Sequence, residues 1–433
     1  MKKTILTAFC VSMTLLFSGC TFLLEEPSEL ISPPASSTDQ YRERQMITTI
    51  LGRDEMLEIP KEMDAPAAST NLDIDGDGEN EKLVFWIRSN GYEAGATLLK
   101  NVNGKGWTEL DEVRQNARAI DYFKLVDVDN DGHAEAFIGM DIGGYHTLYI
   151  YRLAESGFSY VDQMNYTKLC VTDLYGTGEQ EILCALADNN TVSPKTGLNV
   201  YRWKSDGIRR IFNETFDGSS LDMRYGRISE EMDGLYLLQT NDYTNGNVYL
   251  LLPDEENGLR TELSSQILYY NMNGTDDLPI ADINGDGILE VRSVVQPADT
   301  SKREARDYFQ MWKVWDGANA MENVYGIMNN RTDGYRFIVP GEWLETMRYQ
   351  FITGDGNNQL RIYDGTGEIP AVIIYVQDRL HAAETSEQAG VFPLDVNGNN
   401  QRYYFAQRNL DSFAGWPLDD QMIIDAFALE GGK

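Results

Sequence analysis

Three nine-residue segments place carboxylates where they can converge on one point. They are Asp73-Ile-Asp-Gly-Asp-Gly-Glu-Asn-Glu81, Asp127-Val-Asp-Asn-Asp-Gly-His-Ala-Glu135 and Asp282-Ile-Asn-Gly-Asp-Gly-Ile-Leu-Glu290, and all read D-x-[DN]-x-D-G-x-x-E. Oxygens at positions 1, 3, 5 and 9 can surround one hard cation, a carbonyl at position 7 can add a ligand, and glycine at position 6 permits the sharp bend. Calcium, which takes about six to eight oxygens at flexible angles, suits this set better than magnesium. Left without a cation, the clustered carboxylates would repel one another. An EF-hand needs a glutamate at position 12, where this chain has Val84, Ile138 and Ser293, followed by strand-like rather than helical sequence.

These segments belong to a longer repeat. A weaker copy runs from Asp173 to Glu181, with Tyr175 and Thr177 in ligand positions, and a degraded one from Ser229 to Leu237. The five copies start at residues 73, 127, 173, 229 and 282, a period near 50 that signals repeat architecture. A glycine recurs 29 to 35 residues into each unit: Gly106, Gly157, Gly207, Gly258 and Gly317. Before most of them lie alternating stretches such as Leu148-Tyr-Ile-Tyr151 and Leu198-Asn-Val-Tyr201, which read as strands joined by hairpins. Each unit then holds four strands, the content of a propeller blade.

With apolar residues at position 2 (Ile74, Val128, Ile283) and a strand after position 9, the loops resemble the FG-GAP/VCBS-type repeats of integrin-alpha-like propellers. The resemblance covers roughly residues 66 to 330 and implies a mainly β chain with a β-propeller. It implies calcium on each intact loop, held by Asp73, Asp75, Asp77 and Glu81, by Asp127, Asp129, Asp131 and Glu135, and by Asp282, Asn284, Asp286 and Glu290. In the weaker copy only Asp173 and Glu181 remain of the acidic set. Family members often carry Asp at position 9, and they usually close more blades than the five counted here. Either the ring is smaller or flanking sequence supplies further blades.

At the N-terminus, Lys2 and Lys3 precede an apolar run from Ile5 to Phe17 that ends in Phe17-Ser18-Gly19-Cys20. This resembles a bacterial lipoprotein signal peptide, which implies removal of residues 1–19 and lipid on Cys20; an ordinary secretory signal or a short membrane anchor is the alternative. No other apolar run approaches the roughly 18 residues that span a bilayer. The expected protein is exported, extracytoplasmic and held on the membrane by lipid. Residues 20–38, rich in Glu, Ser and Pro, read as a tether, 39–65 as a short helix and connector, 66–331 as the propeller, and 332–433 as an α+β domain ending in a helix at Asp419 to Leu429.

Cys170 and Cys184 flank the weaker loop at positions −3 and +11. A disulfide there would replace the missing ion as a staple, contributing roughly 3 kcal/mol for a loop of about 15 residues. The alternative is two buried reduced thiols on faces that never meet.

Asp and Glu number 68 against 36 Lys and Arg, a net charge of −32, while 42% of residues are hydrophobic, so the chain is folded and acidic. Such a surface repels phosphate backbones, which excludes nucleic acid as a partner. With only His133, His146 and His381, there is little material for a histidine-based zinc centre. The chain also lacks a nucleophile elbow, a zincin motif, a phosphate-binding glycine loop and a CxxC pair. The leading expectation is a non-catalytic surface protein whose propeller recognises a protein or glycan; the rival is a carbohydrate-active enzyme, glycosidase or lyase, on the same scaffold. A structural or assembly role through the C-terminal module is a third. Trp86, Trp107, Trp203, Trp312 and Trp315 are candidate contacts, with core packing as their alternative role.

Overall fold

The computed structural model describes residues 45–74, 77–102, 106–129, 131–188, 193–204, 207–240, 245–254, 256, 258–268, 279–295, 309–330, 332–344, 346–395 and 402–429. The expected signal, Cys20, the tether and Asp75 lie outside the described residues. The chain is mainly β, and each repeat forms one antiparallel meander. The first sheet holds Ser69–Leu72, Glu81–Arg88, Ala94–Asn101 and Trp107–Gln115, with Glu55–Leu57 added beside its second strand. The second holds Ala119–Val126, Glu135–Ile142, Tyr145–Ala154 and Gly157–Tyr166, and the third Lys168–Thr172, Glu181–Asp188, Lys195–Lys204 and Gly207–Asp217. The fourth holds Ser219–Ser229, Met232–Thr240, Asn245–Asp254 and Gly258–Leu268. The fifth begins with Ile280–Ala281, Glu290–Val295, Phe309–Trp315 and Met321–Asn330.

The second strands are apolar on both sides because both faces are buried. In the first sheet Leu83 and Phe85 pack against Ala136 and Ile138 of the second, while Val84 and Trp86 point the other way. The same pairing repeats along the chain. Phe137 and Ile150 meet Val171 and Ile182; Leu183 and Val200 meet Leu235 and Leu237; Tyr236 and Leu250 meet Ile280 and Val291. The outer face of the first sheet is covered by the helical segment 45–50 and the residue after it, through Ile47, Ile50 and Leu51. The outer face of the fifth packs Phe309 and Met328 against Leu360 and Ile374 of the C-terminal module. Among the described residues no core joins the first sheet to the fifth, and the two faces that would meet are capped instead, as the ends of a stack of repeats must be.

The C-terminal module is α+β, with a sheet of Met347–Ile352, Asn357–Asp364, Val372–Gln377, Tyr403–Arg408 and Val391–Asp395 and a helix, Arg379–Ser386, laid on it through Ala382. The boundary expected at 331/332 is not a break. Tyr335–Pro340 pairs with Met321–Asn330, and Phe427–Leu429 pairs with Tyr335–Pro340, so this module extends the fifth sheet to six strands. The final helix is shorter than expected, Asp420–Ala426, capped by the Asp419 carboxylate accepting from Met422 N, and the chain turns into a strand at Phe427. Trp86, Trp312 and Trp315 are buried, which fits core packing, while Trp107 and Trp203 are half-buried beneath Lys82 and Arg152.

Gly106, Gly157, Gly207 and Gly258 stand at the start of the fourth strands with positive φ, Gly317 takes positive φ in the turn before the last of them, and Gly157 (φ +111°) also carries a contact between sheets. A Cβ there would lie 2.3 Å from Asp111 Oδ2, which accepts a hydrogen bond from Phe158 N at 2.8 Å. Gly207 (φ +116°) has open space around the same position. Gly157→Ala should therefore cost about 2–3 kcal/mol and Gly207→Ala about 1 kcal/mol, read from urea midpoints; equal losses would mean that the Asp111 contact contributes nothing.

Candidate functional site

Four of the five repeats place the acidic segment as the hairpin between first and second strands. The position-1 aspartate accepts the N–H of the position-6 glycine: Asp73 from Gly78 at 3.0 Å, Asp127 from Gly132 at 2.8 Å, Asp173 from Gly178 at 2.8 Å and Asp282 from Gly287 at 2.9 Å. The position-9 glutamate is the first residue of the second strand, and its side chain reaches back under the loop to accept the N–H of position 2. These bonds are Glu81 from Ile74 at 3.2 Å, Glu135 from Val128 at 3.2 Å, Glu181 from Leu174 at 2.9 Å and Glu290 from Ile283 at 3.0 Å. The fourth repeat has no such loop: Ser229 pairs with Met232, leaving Glu230 and Glu231 as a two-residue hairpin turn. The degraded motif read at 229–237 is thus a hairpin and the start of a strand.

All four glutamates are buried, and a buried carboxylate demands compensation. The third strand provides it in the first three sheets. Arg152, directly opposite Glu135, donates from Nε at 2.9 Å and also lies 3.1 Å from Asp129 and from Asp131. Arg202, opposite Glu181, donates from Nε at 2.6 Å and stacks over Tyr175 at 4.5 Å. Lys100 Nζ stands 3.8 Å from Glu81. In the fifth sheet no ion pair to Glu290 occurs among the described residues, and burial, with Asp286 and Asp282 adding to it against the pull of the Ile283 N–H, pushes its carboxyl up to about 7. Burial likewise raises Glu135 and Glu181, opposed by their arginines and the loop N–H groups.

The second loop fits a cation. Asp127, Asp129 and Glu135 each present an oxygen within 4.8 Å of the other two, and Asp131 adjoins them through Arg152. In the first loop Asp73 and Asp77 fold the same way; in the fifth, Asn284 and Asp286 hydrogen-bond each other within the turn. The third loop keeps the fold without the ligand set and serves as a strut, with Tyr175 OH donating to Gly258 O at 2.8 Å in the next sheet. Cys170 and Cys184 are free. Cys170 lies opposite Leu183 and Cys184 opposite Leu169, so alternation sends the thiols to opposite faces, which rules out the disulfide.

A second constellation had no signature in the sequence. The first strands of the second, third and fourth sheets and the segment 61–64 line a cavity of about 730 Å³. That segment pairs parallel to Ala119–Val126, with Glu62 N donating to Asp121 O at 3.0 Å. β-Bulges interrupt the pairing at Asp121 and just before Asp222, and each aspartate lines the cavity. Asp121 Oδ2 accepts from Tyr166 OH at 2.9 Å and meets His146 Nδ1. The tyrosine reaches it only because residue 139 is glycine: a Cβ there would lie 2.1 Å from the hydroxyl. Asp222 Oδ1 accepts from Met223 N at 2.9 Å and lies 3.4 Å from Arg224 Nε. Asp121 Oδ1, Asp222 Oδ2 and Arg224 Nε have no hydrogen-bond partner among the described residues. Lys61, Lys124 and Lys168 join Arg224 as basic lining, and Glu62 and Asp64 join the two aspartates. Cys170 also lines the cavity, and burial pushes its thiol up to about 11.

No protein-family description and no curated protein matches the chain. Among solved structures it is similar to the exotype rhamnogalacturonan lyase YesX, at 15% identity and a TM-score of 0.26, over 63% of this chain and 68% of that one. A likeness of this degree carries no argument about activity. Among the described residues no helix is long and apolar enough to cross a membrane.

Proposed function

We propose that this chain is an exported binding protein, anchored by lipid on Cys20, in which a propeller-type stack of FG-GAP/VCBS-like repeats is braced by calcium and takes a protein or glycan in the cavity lined by its second, third and fourth sheets. The observation that carries the reading is the cavity. Three consecutive sheets converge on it, and Asp121 and Asp222 in its lining each keep a buried carboxylate oxygen without a hydrogen-bond partner among the described residues. The acidic loops suit a bracing role, since Glu135 and Glu181 are engaged by backbone and by arginine, and Glu290 by the Ile283 N–H. Calcium bound at Asp127, Asp129 and Glu135 would supply positive charge that holds the hairpin closed.

Cys170 gives a native reporter. Alkylation at pH 9, followed by peptide mass for this residue, should slow when fractions of the producing cell's envelope fill the cavity. If no polysaccharide or protein fraction protects Cys170, the cavity is not the binding surface.

One observation favours an enzyme as the second reading: His146 holds a buried carboxylate through Nδ1, the arrangement of a general base. Release of new reducing ends from an envelope polysaccharide, lost in His146→Ala, would establish that reading; binding without cleavage would retain the first.

A further inference from the structure

We infer that the concave cavity is a subsite for an uncharged sugar unit, hydrogen-bonded by Asp222, Arg224 and the Asp121–His146 pair. The inference rests on the binding reading above and narrows its ligand. Charge is the first argument. The four basic and four acidic side chains of the lining cancel, inside a chain whose net charge is −32. A polyanion would meet the aspartates, and a polycation would find stronger attraction on the rest of the surface.

Hydrogen bonding is the second. Asp121 and Asp222 are 9% and 4% exposed, and each keeps one carboxylate oxygen without a hydrogen-bond partner among the described residues, while Arg224 Nε, 3.4 Å from the other oxygen of Asp222, pairs with it by charge without making a hydrogen bond. A ligand meeting these needs must both donate and accept. A pair of neighbouring sugar hydroxyls does both, whereas an ammonium only donates and a carboxylate only accepts. Geometry is the third. The bulges at Asp121 and before Asp222 fall in equivalent first strands of the second and fourth sheets, so the two acids face the cavity from either side of the third. Tyr122 and Tyr225 belong to the same lining, Tyr225 with its hydroxyl donating to Leu174 O at 3.2 Å.

The test uses the full chain in detergent with calcium. It is applied to an array of neutral hexose and N-acetylhexosamine oligosaccharides, with uronate oligosaccharides and spermidine alongside. The best neutral glycan is then titrated calorimetrically against the parent chain, Asp222→Asn and His146→Gln. The expected result is binding of a neutral glycan, weakened tenfold or more by each variant. The two variants sit on different sheets, and thermal unfolding identifies either one that fails to fold. Binding that neither folded variant weakens overturns the site but leaves a glycan-binding protein. Binding of only uronates or spermidine overturns the ligand class. No binding to any probe overturns the inference, and protection of Cys170 then decides the broader reading by itself.

Discussion

Arg202→Leu should lower folding stability by about 3 kcal/mol, equally in calcium and in chelator. The substitution strands Glu181, which is 0% exposed and whose other oxygen is held by Leu174 N, beside a loop in which Tyr175 and Thr177 stand in the ligand positions. The control is the double variant Glu181→Gln, Arg202→Leu, which should recover most of the loss because the cost lies in the stranded charge. Arg152→Leu makes the contrast. Its loss should be as large in chelator but smaller in millimolar calcium, since a cation among Asp127, Asp129 and Glu135 would replace the guanidinium. Denaturant midpoints of the four proteins under both conditions give the comparison. Equal calcium sensitivity at Arg152 and Arg202 would contradict the assignment of metal to the second loop and not the third.

Calcium itself should raise the thermal midpoint of the parent chain. A site with a dissociation constant near 10 μM gains about 2.7 kcal/mol at 1 mM calcium, and Asp127→Asn with Asp129→Asn should remove the second loop's share. Magnesium, which demands near-octahedral geometry, should do less. The fifth loop adds a pH signature. Its Glu290 carboxyl is raised from 4.5 to about 7 in the folded chain, so the folded state holds this proton more tightly than the unfolded one. In chelator Glu290 therefore costs stability above about pH 7, and the cost fades as pH falls towards 4.5. Glu290→Gln should flatten that part of the profile and stabilise the calcium-free chain at pH 8 by on the order of 3 kcal/mol. A midpoint unmoved by calcium, magnesium or this substitution would remove the cation role from all the loops.

The loops were legible in the sequence because their physics is local. A nine-residue turn folds on its own spacing of aspartates and glycine, so Asp73, Asp127, Asp173 and Asp282 all sit where the motif puts them, each bonded to its own glycine N–H. The same is true of the four-strand meander and of the recurrent glycine, whose positive φ no other residue adopts cheaply. The fourth unit misled because its Asp233-Gly234 pair resembles a loop, while the shorter connection between its strands permits only the two-residue turn at Glu230 and Glu231.

What only the tertiary structure decided was everything set by a neighbour across sheets. That Arg152 and Arg202 compensate buried glutamates depends on third-strand register, and that Cys170 and Cys184 stay apart depends on which face each takes. The caps on the first and fifth sheets, and the tie from Tyr335–Pro340 back to Met321–Asn330, depend on which apolar faces meet. The cavity is the clearest case. Asp121, His146, Tyr166 and Asp222 come from two sheets and as far as 101 positions apart, and two bulges with no composition of their own turn the acids towards one space. Periodicity reports the face on which a residue starts; a bulge and the packing of the next sheet determine where its side chain ends.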